Sequence, residues 1–124
     1  MSALIIAFFL SCLAAYLTGA VPFSYLIAKM KGVDLPKVCS GNIGATNVIR
    51  SCGKAAGVAA YLLDISKGVA GALWVLLLQR AFAAQAPDLF DRFDALFLVA
   101  YVMPILGHMF PVFLKFKGGK GVAT

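Results

Sequence analysis

Charged side chains are missing from the first stretch of this chain and sparse in two others, and that spacing predicts its elements. Residues 2–28 carry no charge at all. The run exceeds the roughly 20 residues a helix needs to cross a hydrocarbon core. It has no basic start and passes Gly19 and Pro22 without a clear cleavage site, so it predicts an uncleaved membrane helix rather than a secretory leader. Residues 55–79, apolar except for Asp64 and Lys67, predict a second span. Residues 95–114, apolar apart from His108, predict a third, with Pro104 and Gly107 placed to kink it. The ending through Gly118-Gly119-Lys120-Gly121-Val122-Ala123 to Thr124 reads as a loop leading into a further helix. The predicted fold is an all-α integral membrane bundle, with three transmembrane helices plus the start of a fourth in one incomplete domain over 1–124. Hydrophilic loops fall near 29–54, 79–94 and 115–121, and no internal repeat or low-complexity segment is present.

Composition supports lipid as the solvent. The chain of 124 residues is 62% hydrophobic and 13% charged, with a mean hydropathy of +0.94. That is too little charge to cover a soluble domain. Lys29, Lys31, Lys37, Arg50 and Lys54 lie between the first two spans, and Lys115, Lys117 and Lys120 follow the third. The middle loop has only Arg80 and Arg92, beside Asp88, Asp91 and Asp94. The positive-inside rule then places the two basic loops in the cytoplasm and the N-terminus outside. The net charge of +6 does not mark a nucleic-acid binder, because the basic residues are scattered between apolar spans with no aromatic platform beside them.

Topology alone leaves the glycines beside these charges unexplained. The first basic loop contains Ser40-Gly41-Asn42-Ile43-Gly44-Ala45-Thr46-Asn47-Val48-Ile49-Arg50. Gly41 and Gly44 permit tight turns, and Ser40 or Asn42 is placed to cap a short helix beginning near residue 43. On that helix Thr46 and Arg50 share a face, joined by Asn47. Amides at a helix start, a hydroxyl and a guanidinium suit a phosphate dianion, although a polar turn satisfying its own backbone has the same composition.

The loop at 115–121 has the complementary half. Gly118, Gly119 and Gly121 surround Lys120, an arrangement that exposes N–H groups beside a mobile cation. It is not a Walker A loop, because Gly121 follows the lysine and Leu114 stands where the first glycine belongs. Lys115 reads as a side chain snorkelling to the membrane surface. His108 sits at the membrane end of this motif, as a packing residue or a catalyst. Asp64 and Lys67, three apart, read as a buried pair that shapes the bundle. Cys12, Cys39 and Cys52 have no metal-binding spacing, and no base is identifiable beside Cys39.

Taken in order, these segments resemble the acyl-phosphate:glycerol-3-phosphate acyltransferases of bacterial phospholipid synthesis. The stretch from Gly32 to Arg50 is similar to the family's first signature, and Leu63-Asp64-Ile65-Ser66-Lys67-Gly68 to its second-helix pattern. Gly107-His108-Met109-Phe110-Pro111 and Lys117 through Thr124 are similar to the second signature. The resemblance implies transfer of a fatty acyl group from acyl phosphate to the 1-hydroxyl of glycerol 3-phosphate, giving lysophosphatidic acid and phosphate. Neither acyl-CoA nor acyl carrier protein is then the direct donor, and no cofactor or metal is involved.

Carried over by motif, Ser40, Arg50 and Lys120 hold the glycerol phosphate, with Gly41, Asn42 and Lys117 in the binding loops. Thr46 and the amides of Gly118 and Gly119 handle the acyl phosphate, and Asn47 and His108 support catalysis. The implied partners are glycerol 3-phosphate, fatty acyl phosphate and membrane lipid, and the implied location is the bacterial inner membrane. The chain departs from the family at Cys39, where a glycine is usual, and at Pro36, where a basic residue is common. It also contains no Glu and stops before the third segment that helps close the family's site, so the expected chain is the N-terminal portion of a longer enzyme. A small transporter with Asp64, Lys67 and His108 along a path, or a non-catalytic assembly subunit, is the alternative. The His-x-x-x-x-Asp acyltransferases are excluded, because the fifth residue after His108 is Phe113.

Overall fold

A computed structural model of the chain describes residues 2–84, 87–122 and 124, with the backbone alone for 87–97. Among these residues the regular structure is entirely helical: α1 (Ser2–Ala20), α2 (Phe23–Met30), α3 (Ala45–Cys52), α4 (Lys54–Ala83) and α5 (Pro87–Met109). Short 3-10 turns occupy Leu35–Lys37 and Val112–Leu114. Two helical segments, Ser2–Met30 and Lys54–Ala83, are long and apolar enough to cross a membrane, and Leu98–Leu114 is a shorter apolar stretch.

The first span is broken where it was expected to be continuous. Pro22 has no N–H to donate and restricts the residue before it, so α1 ends at Ala20 and a new helix starts at Phe23. The loop expected at 79–94 is largely helix, since α4 continues to Ala83 and α5 begins at Pro87. The side chains of Asp88, Asp91, Arg92 and Asp94 lie outside the described residues. The start of a fourth helix is not found among the described residues after Leu114.

α1 packs against both α4 and α5, and its buried stripe is Leu4, Ala7, Ser11, Ala15 and Gly19. On α4 the stripe is Ala56, Ala60, Asp64, Lys67, Gly71 and Val75. Both repeat at helical spacing and consist mostly of small residues, while Ile5, Phe9, Leu13, Leu62, Leu73 and Leu77 face outward. Large side chains outside and small ones between helices are what lipid selects, because apolar contact with lipid costs nothing and close backbone approach favours association. Gly19 lies against the backbone of Pro104, Gly107 against Tyr16 and Ala20, and Gly71 against the Pro104 ring. These contacts join α1, α4 and α5 near one end of the bundle. A second cluster, formed by Ala28, Leu35, Ile43, Ala45, Val48, Ala56 and Ala60, seats α3 and the loop before it on α4.

Candidate active site

The two glycine-rich loops meet at one end of this bundle. Thr46, Asn42, Gly44 and Ala45 form one wall of a pocket of ≈150 Å³, and Lys120, His108 and Asp64 lie on the other. The helix carrying Thr46 begins at Ala45 rather than near 43, and its N-cap is Gly44, not Ser40 or Asn42. Ser40 Oγ is engaged locally, accepting the Asn42 N–H at 3.4 Å, and the main-chain carbonyl of Asn42, not its side chain, accepts Asn47 Nδ2 at 2.9 Å. The first turn of α3 has no side-chain cap. The Asn47 N–H donates to the Gly44 carbonyl at 3.0 Å, so the capacity of this end of α3 for an anion rests on the N–H groups of Ala45 and Thr46.

Asn47 does not join Thr46 and Arg50 on an open face. It is 2% exposed, and its amide donates to the carbonyls of Leu35 and Val38 at 3.2 Å each and to that of Asn42. The Leu35 and Val38 carbonyls also accept the N–H groups of Val38 and Gly41, so the acceptor that depends on Asn47 is the Asn42 carbonyl, and the three contacts together turn Asn47 inward. Thr46 and Arg50 remain exposed. Lys37 is tied to Asp34 at 2.8 Å, and that hydrogen bond raises its pKa above the ordinary lysine range.

The second loop turns back on the helix that precedes it. Lys115 and Phe116 take positive φ of 52° and 63°, which reverses the chain. The N–H of Gly118 then donates to the Met109 carbonyl and that of Gly119 to the His108 carbonyl, each at 3.1 Å. The amides expected to face a phosphate thus satisfy the C-terminal carbonyls of α5 instead. From this loop Lys120 and Val122 line the pocket, and Lys120 is its cation. Ser40, Gly41, Arg50 and Lys117 lie outside its lining, and Gly118 and Gly119 line a smaller cavity beside it.

Beneath the pocket is a buried polar cluster of which sequence reasoning identified only part. Lys67 Nζ is 3.1 Å from Asp64 Oδ1, so the expected pair is present at 3% and 2% side-chain exposure. Lys67 also donates at 2.8 Å to the Val21 carbonyl, which at the break around Pro22 accepts the Phe23 N–H as well. Ser24 Oγ donates to Asp64 Oδ2 at 2.9 Å, and His108 Nδ1 lies 3.7 Å from Asp64 Oδ1. Ser24 has no sequence signal beyond being polar two residues after a proline. The transport reading predicted these side chains along a path, whereas they contact one another.

The sequence profile described as glycerol-3-phosphate acyltransferase matches residues 9–124. This chain belongs to that family. It is similar to the glycerol-3-phosphate acyltransferase of Aquifex aeolicus, with 48% identity over 110 residues, covering 89% of this chain and 52% of the relative. It is similar also to that of Thermosipho melanesiensis, with 42% identity over 114 residues, covering 92% and 50%. The crystal structure of PlsY (YgiH), an integral membrane glycerol 3-phosphate acyltransferase in its glycerol 3-phosphate form, superposes with a TM-score of 0.70 at 44% identity, covering 99% of this chain and 54% of that one. The lysophosphatidic acid form gives 0.69 at 41% identity. The chain thus spans about half the length of the curated relatives it matches. The family membership agrees with the order of the motifs, and the structural likeness establishes a membrane-embedded helical fold.

Proposed function

We propose that this chain supplies the phosphate-binding end of an enzyme that transfers a fatty acyl group from acyl phosphate to the 1-hydroxyl of glycerol 3-phosphate. The observation that carries this reading is the pocket in which Lys120 faces the uncapped first turn of α3 and Thr46. A cation, a hydroxyl and a helix N-terminus around one space suit phosphate esters, and both substrates are phosphate esters or anhydrides. Ser40, Arg50 and Lys120 are assigned to glycerol 3-phosphate, and Thr46 and Asn42 to the acyl phosphate. Gly41 and Lys117 support the same loops, and Asn47 holds the first loop in shape. Gly118 and Gly119 act by packing closely on His108 rather than by donating their amides.

An acyl phosphate is an activated mixed anhydride, so positioning and charge neutralisation can supply most of the rate. The glycerol hydroxyl oxygen attacks the acyl carbonyl carbon, and the carbon–oxygen bond to phosphate breaks with its electron pair leaving on phosphate. The hydroxyl proton passes to a phosphate oxygen. His108 is the rival base, but it is 7% exposed, with Nδ1 toward Asp64 and its other nitrogen against Gly119. That orientation favours a supporting role. We place the basic loops in the cytoplasm, the N-terminus outside and three spans in the bacterial inner membrane, with α5 as the third.

The test is phosphate release from a long-chain acyl phosphate, with and without glycerol 3-phosphate, by the full-length gene product in detergent. Release that depends on glycerol 3-phosphate and is lost in Lys120→Ala supports the reading. No release from a folded protein overturns it.

A further inference from the structure

Asp64 is 1% exposed, belongs to neither glycine-rich loop, and receives groups from three helices. An ion pair that only shaped the bundle would need Lys67 alone. Here Ser24 of α2 donates to one carboxylate oxygen at 2.9 Å, while Lys67 of α4 and His108 of α5 approach the other at 3.1 Å and 3.7 Å. The imidazole carries the contact onward. Its far nitrogen lies against the Cα of Gly119, and the carbonyl of the same histidine accepts the Gly119 N–H at 3.1 Å. The next residue is Lys120, in the pocket wall facing Thr46. The cavity between Ser24, Asp64, Lys67 and His108 is only ≈10 Å³, about one water, so the ring has little room for another position while Asp64 stays in place.

We propose that Asp64 is a positioning residue for acyl transfer: acting through His108, it fixes the Gly118–Gly119 turn and so holds the Lys120 ammonium at the first turn of α3. The inference rests on the reading above, in which Lys120 holds the phosphate of glycerol 3-phosphate. At 3.7 Å the contact is longer than a hydrogen bond, so the carboxylate limits the imidazole by packing and electrostatic attraction, and losing it frees the loop rather than removing a reacting group.

Asp64→Asn leaves Lys67 buried without its counter-charge and can fail to fold. Ser24→Ala is therefore the primary variant, since it loosens the carboxylate and keeps the ion pair, and His108→Ala is the second. In the full-length gene product both are expected to raise KM for glycerol 3-phosphate, by about 2- to 10-fold for Ser24→Ala, the equivalent of one neutral hydrogen bond, with kcat changed less. Because Lys120→Ala is expected to lose turnover, the double variant is read by calorimetric binding of glycerol 3-phosphate, where Ser24→Ala is expected to add nothing to Lys120→Ala, since the two act on one contact. Trypsin is expected to cut after Lys117 and Lys120 faster in Ser24→Ala than in the parent, read by mass spectrometry. Unchanged KM and unchanged cleavage at these lysines would overturn the proposal, as would effects that multiply in the double variant. Should the parent itself show no glycerol 3-phosphate-dependent release, the enzymatic reading fails separately. The cleavage rates then decide whether Asp64 orders the loop.

Discussion

The Cα of Gly119 lies against the imidazole of His108, so closely that a methyl group added there would collide with Nε2. The glycine belongs to the turn that carries Lys120, and the histidine ends α5, so one contact joins the loop to the bundle.

Gly119→Ala should therefore push the loop away from α5 and lower activity by at least an order of magnitude while leaving the helices folded. Circular dichroism checks the fold and acyl transfer the activity. Because the obstruction is the imidazole, Gly119→Ala combined with His108→Ala should recover more of the loop's trypsin resistance than the single glycine variant retains.

Asn47 donates to three loop carbonyls, and alanine would leave that of Asn42 without a donor, while those of Leu35 and Val38 keep the N–H groups of Val38 and Gly41. Asn47→Ala should cost about 1–3 kcal/mol, the penalty for one unsatisfied buried acceptor. Asn47→Asp, of the same shape but without the donors, should be no better. Unfolding in detergent by denaturant titration measures both.

Cys39 has φ of 48°, a left-handed conformation that a side chain opposes. Cys39→Gly should be neutral to stabilising by up to about 1 kcal/mol, the relief of strain being partly offset by the freer unfolded chain. A clear fall in melting temperature would show that the thiol contributes packing that outweighs the strain. The positive φ also gives a reason why glycine is usual here in the family that the loop resembles.

Gly107 faces the backbone of Tyr16 and Ala20 on α1. Gly107→Ala should force α1 and α5 apart and destabilise the bundle by about 1–3 kcal/mol, the usual range for overpacking. Gly32→Ala, with open space around its Cα, is the control for added bulk alone, and only its positive φ of 73° should count against it. The comparison is read from the folded fraction recovered in detergent.

Much of the fold was legible because membrane helices are written in one variable. A span needs a run without unpaired charge, and residues 2–28 and 55–79 have one whatever surrounds them. Boundaries were less legible. The charges that suggested a loop at 79–94 sit beside helix ends, where water is within reach, and so did not interrupt the backbone hydrogen bonding there. The break at Pro22 was visible as a residue, but its consequence was not. The Val21 carbonyl turned out of the helix there also accepts from Lys67, 46 positions later.

The site divides in the same way. That two glycine-rich loops carry a lysine and a threonine was legible from residue type and order, because turn-forming residues and cations act locally. Which amides stay free is a tertiary matter. Gly118 and Gly119 donate to the end of α5, while the first turn of α3 has no side-chain cap and Ser40 Oγ accepts the Asn42 N–H within its own loop. Neither outcome follows from composition, since each depends on which carbonyl happens to lie within hydrogen-bonding distance.

By itself the sequence determined a helical membrane protein, its family and two basic glycine-rich loops, all properties of runs and neighbours along the chain. Only the tertiary structure decided that Asn47 faces inward, that Ser24, Asp64, Lys67 and His108 form one cluster, and that Lys120 rather than the glycine amides faces the pocket. The physical reason is that a buried polar group must find a partner, and that partner is chosen by distance in space rather than by distance in sequence.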